Sequence, residues 1–148
     1  MGQISERVVT IARRWIGTPY HHQAACEGAG CDCLGLIRGV WCELYGAEPE
    51  TPPAYTADWS EPQRVEALWE AAKRHLRSKP LDAAALGDVV LFRMRDGMVA
   101  KHLGIQGQVG DTASVIHAYQ GHGVVESPLT QPWKRRIVAR FEFPEETV

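Results

Sequence analysis

Two hydrophobic periods divide the chain near residue 87. Before it, apolar positions recur every three or four residues, the spacing of helices with one buried face. After it they alternate, the spacing of half-buried strands. The first helical stretch is residues 4–16, with Ser5 as cap and Val8, Ile11, Ala12 and Trp15 as the apolar stripe. Gly17-Thr18-Pro19-Tyr20 ends it, because Pro19 biases Thr18 away from the helix. A polar, glycine-bearing loop over 21–30 follows. The second helix is expected over 33–45, with Leu36, Ile37, Val40, Trp41 and Leu44 on its buried face and Gly46 as its stop. A third begins at Ser60, where Ser60 and Gln63 are spaced as a capping box. It buries Val65, Leu68, Trp69, Ala72 and Leu76 and ends at Lys79-Pro80.

The second half reads as five strands, over 88–94, 99–106, 114–119, 124–127 and 137–143. The last has Ile137, Ala139, Phe141 and Phe143 on one face. The Asp-Gly pair at 96–97 is a hairpin signal between the first two. Helices first and a meander second predict an α+β fold, with N-terminal helices packed on an antiparallel sheet of five or more strands. A length of 148 residues suits one domain over 1–148 with its own core. The formal net charge of −2 removes any electrostatic case for nucleic acid. No stretch has the apolar length to cross a bilayer, so no membrane insertion is expected. The start has no apolar leader, so synthesis in the cytoplasm is expected.

Candidate chemistry centres on Gly30-Cys31-Asp32-Cys33-Leu34-Gly35. Asp32 is a good N-cap type, which places Cys33 in the first turn of the second helix. There the helix dipole and unpaired amides favour a thiolate, so Cys33 is the candidate nucleophile. A nucleophilic cysteine needs a base, and the base an orienting partner. His102 starts the second strand and His117 lies in the third. If those strands pair, both imidazoles share one side, with Leu103 and Ile105 on the other. One histidine then takes the Cys33 proton and the other fixes its tautomer. His75 and His122 read as solvent-side residues, and His21 and His22 as loop residues. The rival reading is a zinc site built from Cys26, Cys31 and Cys33 with His21 or His22, although the cysteine gaps are not those of paired zinc knuckles. Cys42 reads as a small buried hydrophobe.

Five segments also carry a resemblance: Trp15-Ile16-Gly17-Thr18-Pro19-Tyr20, Asp32-Cys33-Leu34-Gly35-Leu36, Leu86-Gly87-Asp88-Val89-Val90-Leu91-Phe92, His102-Leu103-Gly104-Ile105 and Ile116-His117-Ala118. Their order resembles the NlpC-type family of bacterial cell-wall cysteine peptidases. The resemblance implies a papain-like fold and hydrolysis of γ-D-glutamyl to diamino-acid bonds in peptidoglycan stem peptides, with no cofactor and no metal. It implies Cys33 as nucleophile, His102 as base and His117 as orienting residue. It also implies Tyr20 and Asp32 as substrate-binding residues, Asp32 receiving the free amine of the stem peptide. Leu34 departs from the serine usual after the nucleophile, and Cys31 is unusual there, with a disulfide to Cys26 or a loop thiol as its two readings. The short form looks most like tail-associated hydrolases of phages and gene transfer agents, which act in the host cell wall with tail proteins as partners. An amidase or acyltransferase of the same fold, or a non-catalytic structural tail component, are the alternatives.

Overall fold

In the computed structural model, α1 (Gly2–Arg14) and α2 (Cys33–Tyr45) pack against each other and on one face of a six-stranded sheet. The structure describes residues 2–48, 66–95, 97 and 99–145. The expected cap at Ser60 and Gln63, Val65, and Asp96 of the expected turn lie outside them. A small hairpin of β1 (Ala25–Cys26) and β2 (Gly30–Cys31) precedes α2. Then come α3 (Ala67–His75), β3 (Arg77–Lys79), β4 (Val89–Phe92), β5 (His102–Gln108), β6 (Ser114–Tyr119), β7 (Gly123–Pro128), α4 (Gln131–Lys134) and β8 (Ile137–Glu142). The sheet order is β3-β8-β4-β5-β6-β7, antiparallel throughout.

The α2 boundaries follow from local chemistry. Asp32 Oδ1 accepts the Gly35 N–H at 2.8 Å, satisfying an orphan donor of the first turn. At the other end Gly46 adopts φ 91° and donates its N–H to Cys42 O, the left-handed stop a glycine makes without strain. Space is what requires glycine at position 35. A Cβ there would lie 1.8 Å from Ala24 O, so the start of α2 is pressed against the preceding loop. Trp15 of the turn after α1 lies across Gly39 in the middle of α2, where a Cβ would come within 2.1 Å of its ring.

Strand alternation separates two cores. Val89, Leu91, Leu103, Ile105, Ile116, Ala118 and Phe141 join the helices. Val90, Phe92 and Val115 point the other way and pack with Leu129, Met94, Trp133 and Ile137. Ile137 therefore does not share a face with Ala139 and Phe141 as its spacing predicted. Leu91 pairs with Ala139 but Phe92 with Ile137, so Val138 is an extra residue and the bulge turns Ile137 over. Two further expectations are corrected. The helix α1 begins at Gly2, which places Ser5 inside it, with its main chain against Gly87, rather than at its cap. The helix α3 ends at His75, and β3 occupies the segment expected to be its last turn. The main sheet has six strands, as the expected five or more allowed; the sixth, β3, is at three residues too short to show a period.

Candidate active site

Cys33 opens α2 and is buried at 5% exposure. Its thiol meets the main chain at the start of β5, with Sγ 3.9 Å from Lys101 O. Burial, and secondly the Asp32 carboxylate, push the thiol up to about 12, while the Leu103 and Leu34 amides pull it down. Burial thus opposes the ionisation that a place at a helix start favours.

His102 and His117 come together as the strand pairing required. His102 Nε2 and His117 Nδ1 are 2.7 Å apart. Both rings lie on the face that carries Phe92 and Trp133, as alternation against Leu103 and Ile105 demands. Cys33 reaches β5 from the helix side, at the start of the strand, against the residues flanking His102. No hydrogen bond joins Sγ to either ring among the described residues. Burial first, then His117, lowers His102 to about 3. Burial first, then His122, lowers His117 to about 4. Both imidazoles are therefore neutral at physiological pH.

The chain of hydrogen bonds extends one residue further than the sequence suggested. His117 Nε2 lies 3.1 Å from Ser127 Oγ, on β7. Two proton arrangements satisfy such a chain. In one, Ser127 accepts from His117 Nε2–H, His117 Nδ1 accepts from His102 Nε2–H, and His102 Nδ1 keeps its lone pair. Only this one leaves His102 able to take a proton from a thiol. Trp133 was also missed. Its ring meets His117 edge-on at 5.2 Å and His102 at 5.9 Å, closing the outer side of the pair. Neither residue had a sequence signal, since Ser127 ends an ordinary strand and Trp133 sits in a four-residue helix.

Tyr20 is half-buried, and its phenol is raised to about 12 by burial first and then by the charges of Cys33 and Asp32. Its main chain bridges to Cys31, two residues before the sulfur. Asp32 is 2% exposed, and both its oxygens are used: Oδ1 by Gly35 N–H and Oδ2 by Gln23 N–H at 2.7 Å. Gln23 holds φ 66°, a left-handed conformation that the Asp32 bond helps to fix. Cys31 is fully buried and Cys26 exposed. Cys26 pairs with Gly30 and Cys31 with Ala25, so the two thiols leave opposite faces of the hairpin, poor geometry for a disulfide. Cys42 is only partly buried, on the side of α2 away from the sulfur's first turn. Among the described residues no three His, Cys, Asp or Glu side chains group as metal ligands, so the zinc alternative finds no ligand set there.

Comparison with curated protein sequences finds no match. Among solved structures, the NlpC/p60 domain of the peptidoglycan hydrolase SagA superposes with a TM-score of 0.62 at 23% identity, covering 94% of this chain and 98% of that one. An NLP/P60-family protein similar to a lipoprotein, from Staphylococcus aureus, gives 0.61 at 17%, covering 96% of this chain and 42% of that one. An NlpC/P60-family protein from Bacillus cereus gives 0.63 at 20%, covering 94% of this chain and 40% of that one. The chain thus spans less than half the length of the last two, and the likeness is one of fold. The model of the NlpC/P60 family matches residues 17–141, most of the chain. The protein belongs to the NlpC/P60 family.

Proposed function

We propose that the protein is a cysteine peptidase that hydrolyses peptidoglycan stem peptides at the γ-D-glutamyl to diamino-acid bond. The observation that carries this reading is the ordered chain His102–His117–Ser127, hung on the strand whose first residues touch the sulfur of a helix-start cysteine. In the proposed reaction Cys33 Sγ attacks the scissile carbonyl while His102 Nδ1 takes the thiol proton. Transfer and attack proceed together, because the resting thiol is protonated. The oxyanion faces the amides of the first turn of α2. The C–N bond then breaks, and His102 gives its proton to the leaving amine. Water, activated by the same imidazole, hydrolyses the thioester and restores the thiol. His117 holds the ring of His102 and its tautomer. His102 Nε2 is engaged by His117, which leaves Nδ1 as the nitrogen for Sγ. The two close to hydrogen-bond distance in the substrate complex, as such pairs often do only there.

Tyr20 meets the substrate next to the sulfur. Asp32, being buried, acts on the substrate's free amine by its charge rather than by contact. The setting we propose with this activity is the tail of a phage-like particle, made in the cytoplasm and acting in the host wall. It follows from the resemblance alone and is tested by finding the chain in purified tail assemblies. The activity is tested by incubating a defined muropeptide with wild type and Cys33→Ala and weighing the products. A product pair split at the γ-D-glutamyl bond, made by wild type only, is expected. Turnover that survives the substitution removes Cys33 from the mechanism, and masses of an amide or transferred acyl group replace the peptidase by its relatives.

A further inference from the structure

The face of the sheet that carries the imidazoles has a second polar feature, beyond α4. Trp133 of that helix covers the histidines, and its neighbour Lys134 lines a separate pocket of about 390 Å³. This lies within the roughly 300–1,000 Å³ of small-molecule sites. Its walls are apolar, with Leu81, Leu129 and Ile137, and its polar lining includes Gln106 and Arg140.

Arg140 is 5% exposed. Its Nη1 donates to Asp88 Oδ2 and to Gln106 Oε1, both at 2.8 Å, and its Nε donates to Leu81 O at 3.1 Å. Its remaining nitrogen, Nη2, has no hydrogen-bond partner among the described residues. Nor is it sealed from solvent, since Trp15 Nε1 is the one fully buried side-chain atom left unpartnered among them. The Asp88 carboxylate serves two cations, and Glu142 balances the second. Asp88 is shared by Arg140 and by Lys79, whose Nζ lies 2.8 Å away, and Lys79 reaches only the half-exposed Glu142 besides, at 3.6 Å. Lys134 adds a second cation at the rim, with no ion pair among the described residues.

A guanidinium locked in place by three bonds, with a donor to spare, is a preorganised anion anchor. We propose that this pocket binds a small carboxylic acid, its carboxylate on Arg140 Nη2 and Lys134 and its compact apolar body against Leu81, Leu129 and Ile137. The assignment stands apart from the peptidase reading, and its test needs no turnover. The full chain, ¹⁵N-labelled, is titrated with isovalerate, isovaleramide, N-acetylvaline and inorganic phosphate while the Gly110 and Ala113 amides are followed. Isovalerate is expected to saturate these shifts, with the amide about tenfold weaker because it lacks the charge-assisted bond. The exposed Lys134→Gln is expected to weaken isovalerate several-fold, and Ala113→Leu to fill the pocket and abolish binding with the fold intact by its amide spectrum. N-acetylvaline binding tighter than isovalerate identifies a peptide end as the source of the carboxylate, and the reverse a free acid. Equal binding of acid and amide, phosphate binding as tightly as isovalerate, or shifts that never saturate overturn the proposal.

Discussion

Replacing Asp32 by Asn separates what its shape does from what its charge does. The new Oδ1 still accepts from Gly35, so the cap of α2 stays. The new amide group faces the N–H of Gln23, donor against donor, where the carboxylate accepted at 2.7 Å. A lost hydrogen bond to a charged acceptor is worth about 1.5–3 kcal/mol. Relief of the left-handed Gln23 returns about 1 kcal/mol of that. A net loss of about 1 kcal/mol lowers Tm by roughly 2–4 °C in a chain of this size. The chemical effect has the opposite sign. The Asp32 charge is the second cause holding the Cys33 thiol up, so removing it lowers the thiol pKa. Each tenfold gain in thiolate costs about threefold in intrinsic nucleophilicity, so alkylation at pH 7 rises about threefold per such step. The assay is the iodoacetamide rate at Cys33 from pH 6 to pH 10, with Cys26, Cys31 and Cys42 replaced by Ser or Ala. A less stable protein with a faster-alkylating Cys33 is expected, its rate–pH curve displaced toward lower pH. A rate that is unchanged or slower across this range refutes the claim that this carboxylate opposes ionisation of the sulfur.

Three other outcomes follow from the same geometry. The folded His102 and His117 titrate near 3 and 4, below the unfolded value of about 6.5, so the unfolded chain binds more protons between those limits. Stability is therefore full above about pH 6.5 and falls by several kcal/mol as pH drops toward 4, a slope that urea titrations at several pH values should show flattened in His102→Gln. Ser127→Ala leaves His117 Nε2 without its acceptor and frees the wrong tautomer of His102; kcat is expected to fall about tenfold with KM unchanged, read in muropeptide turnover. Gly35→Ala drives a methyl into Ala24 O and is expected to cost more than about 3 kcal/mol in chemical denaturation, although alanine is the better helix former.

How much of this the residues announce in advance depends on the range of the forces involved. The limits of α2 were readable because its cap, its stripe and its glycine stop are all local. The meeting of His102 and His117 was readable because pairing two neighbouring strands leaves few registers that bury Leu103, Ile105 and Ile116 together. The turned-over Ile137 was not, since the bulge at Val138 is set by the partner strand. Nor was the protonation of Cys33. A helix start is visible in a sequence, but how deeply the rest of the molecule covers a sulfur is not. Ser127 and Trp133 reach the histidines only through tertiary packing, and nothing in their own neighbourhoods marks them.

The pressing of Gly35 against Ala24 has a consequence for how such a protein can diversify. The loop that carries Gln23 and Ala24 is the surface on which the nucleophile's helix seats its first turn. Lengthening that loop by a residue would disturb the seat of the helix and, with it, the sulfur at its start. New specificities are therefore cheaper to build around the short helix that bears Trp133, against the histidines, where a longer insertion leaves the seat of the reacting atom untouched.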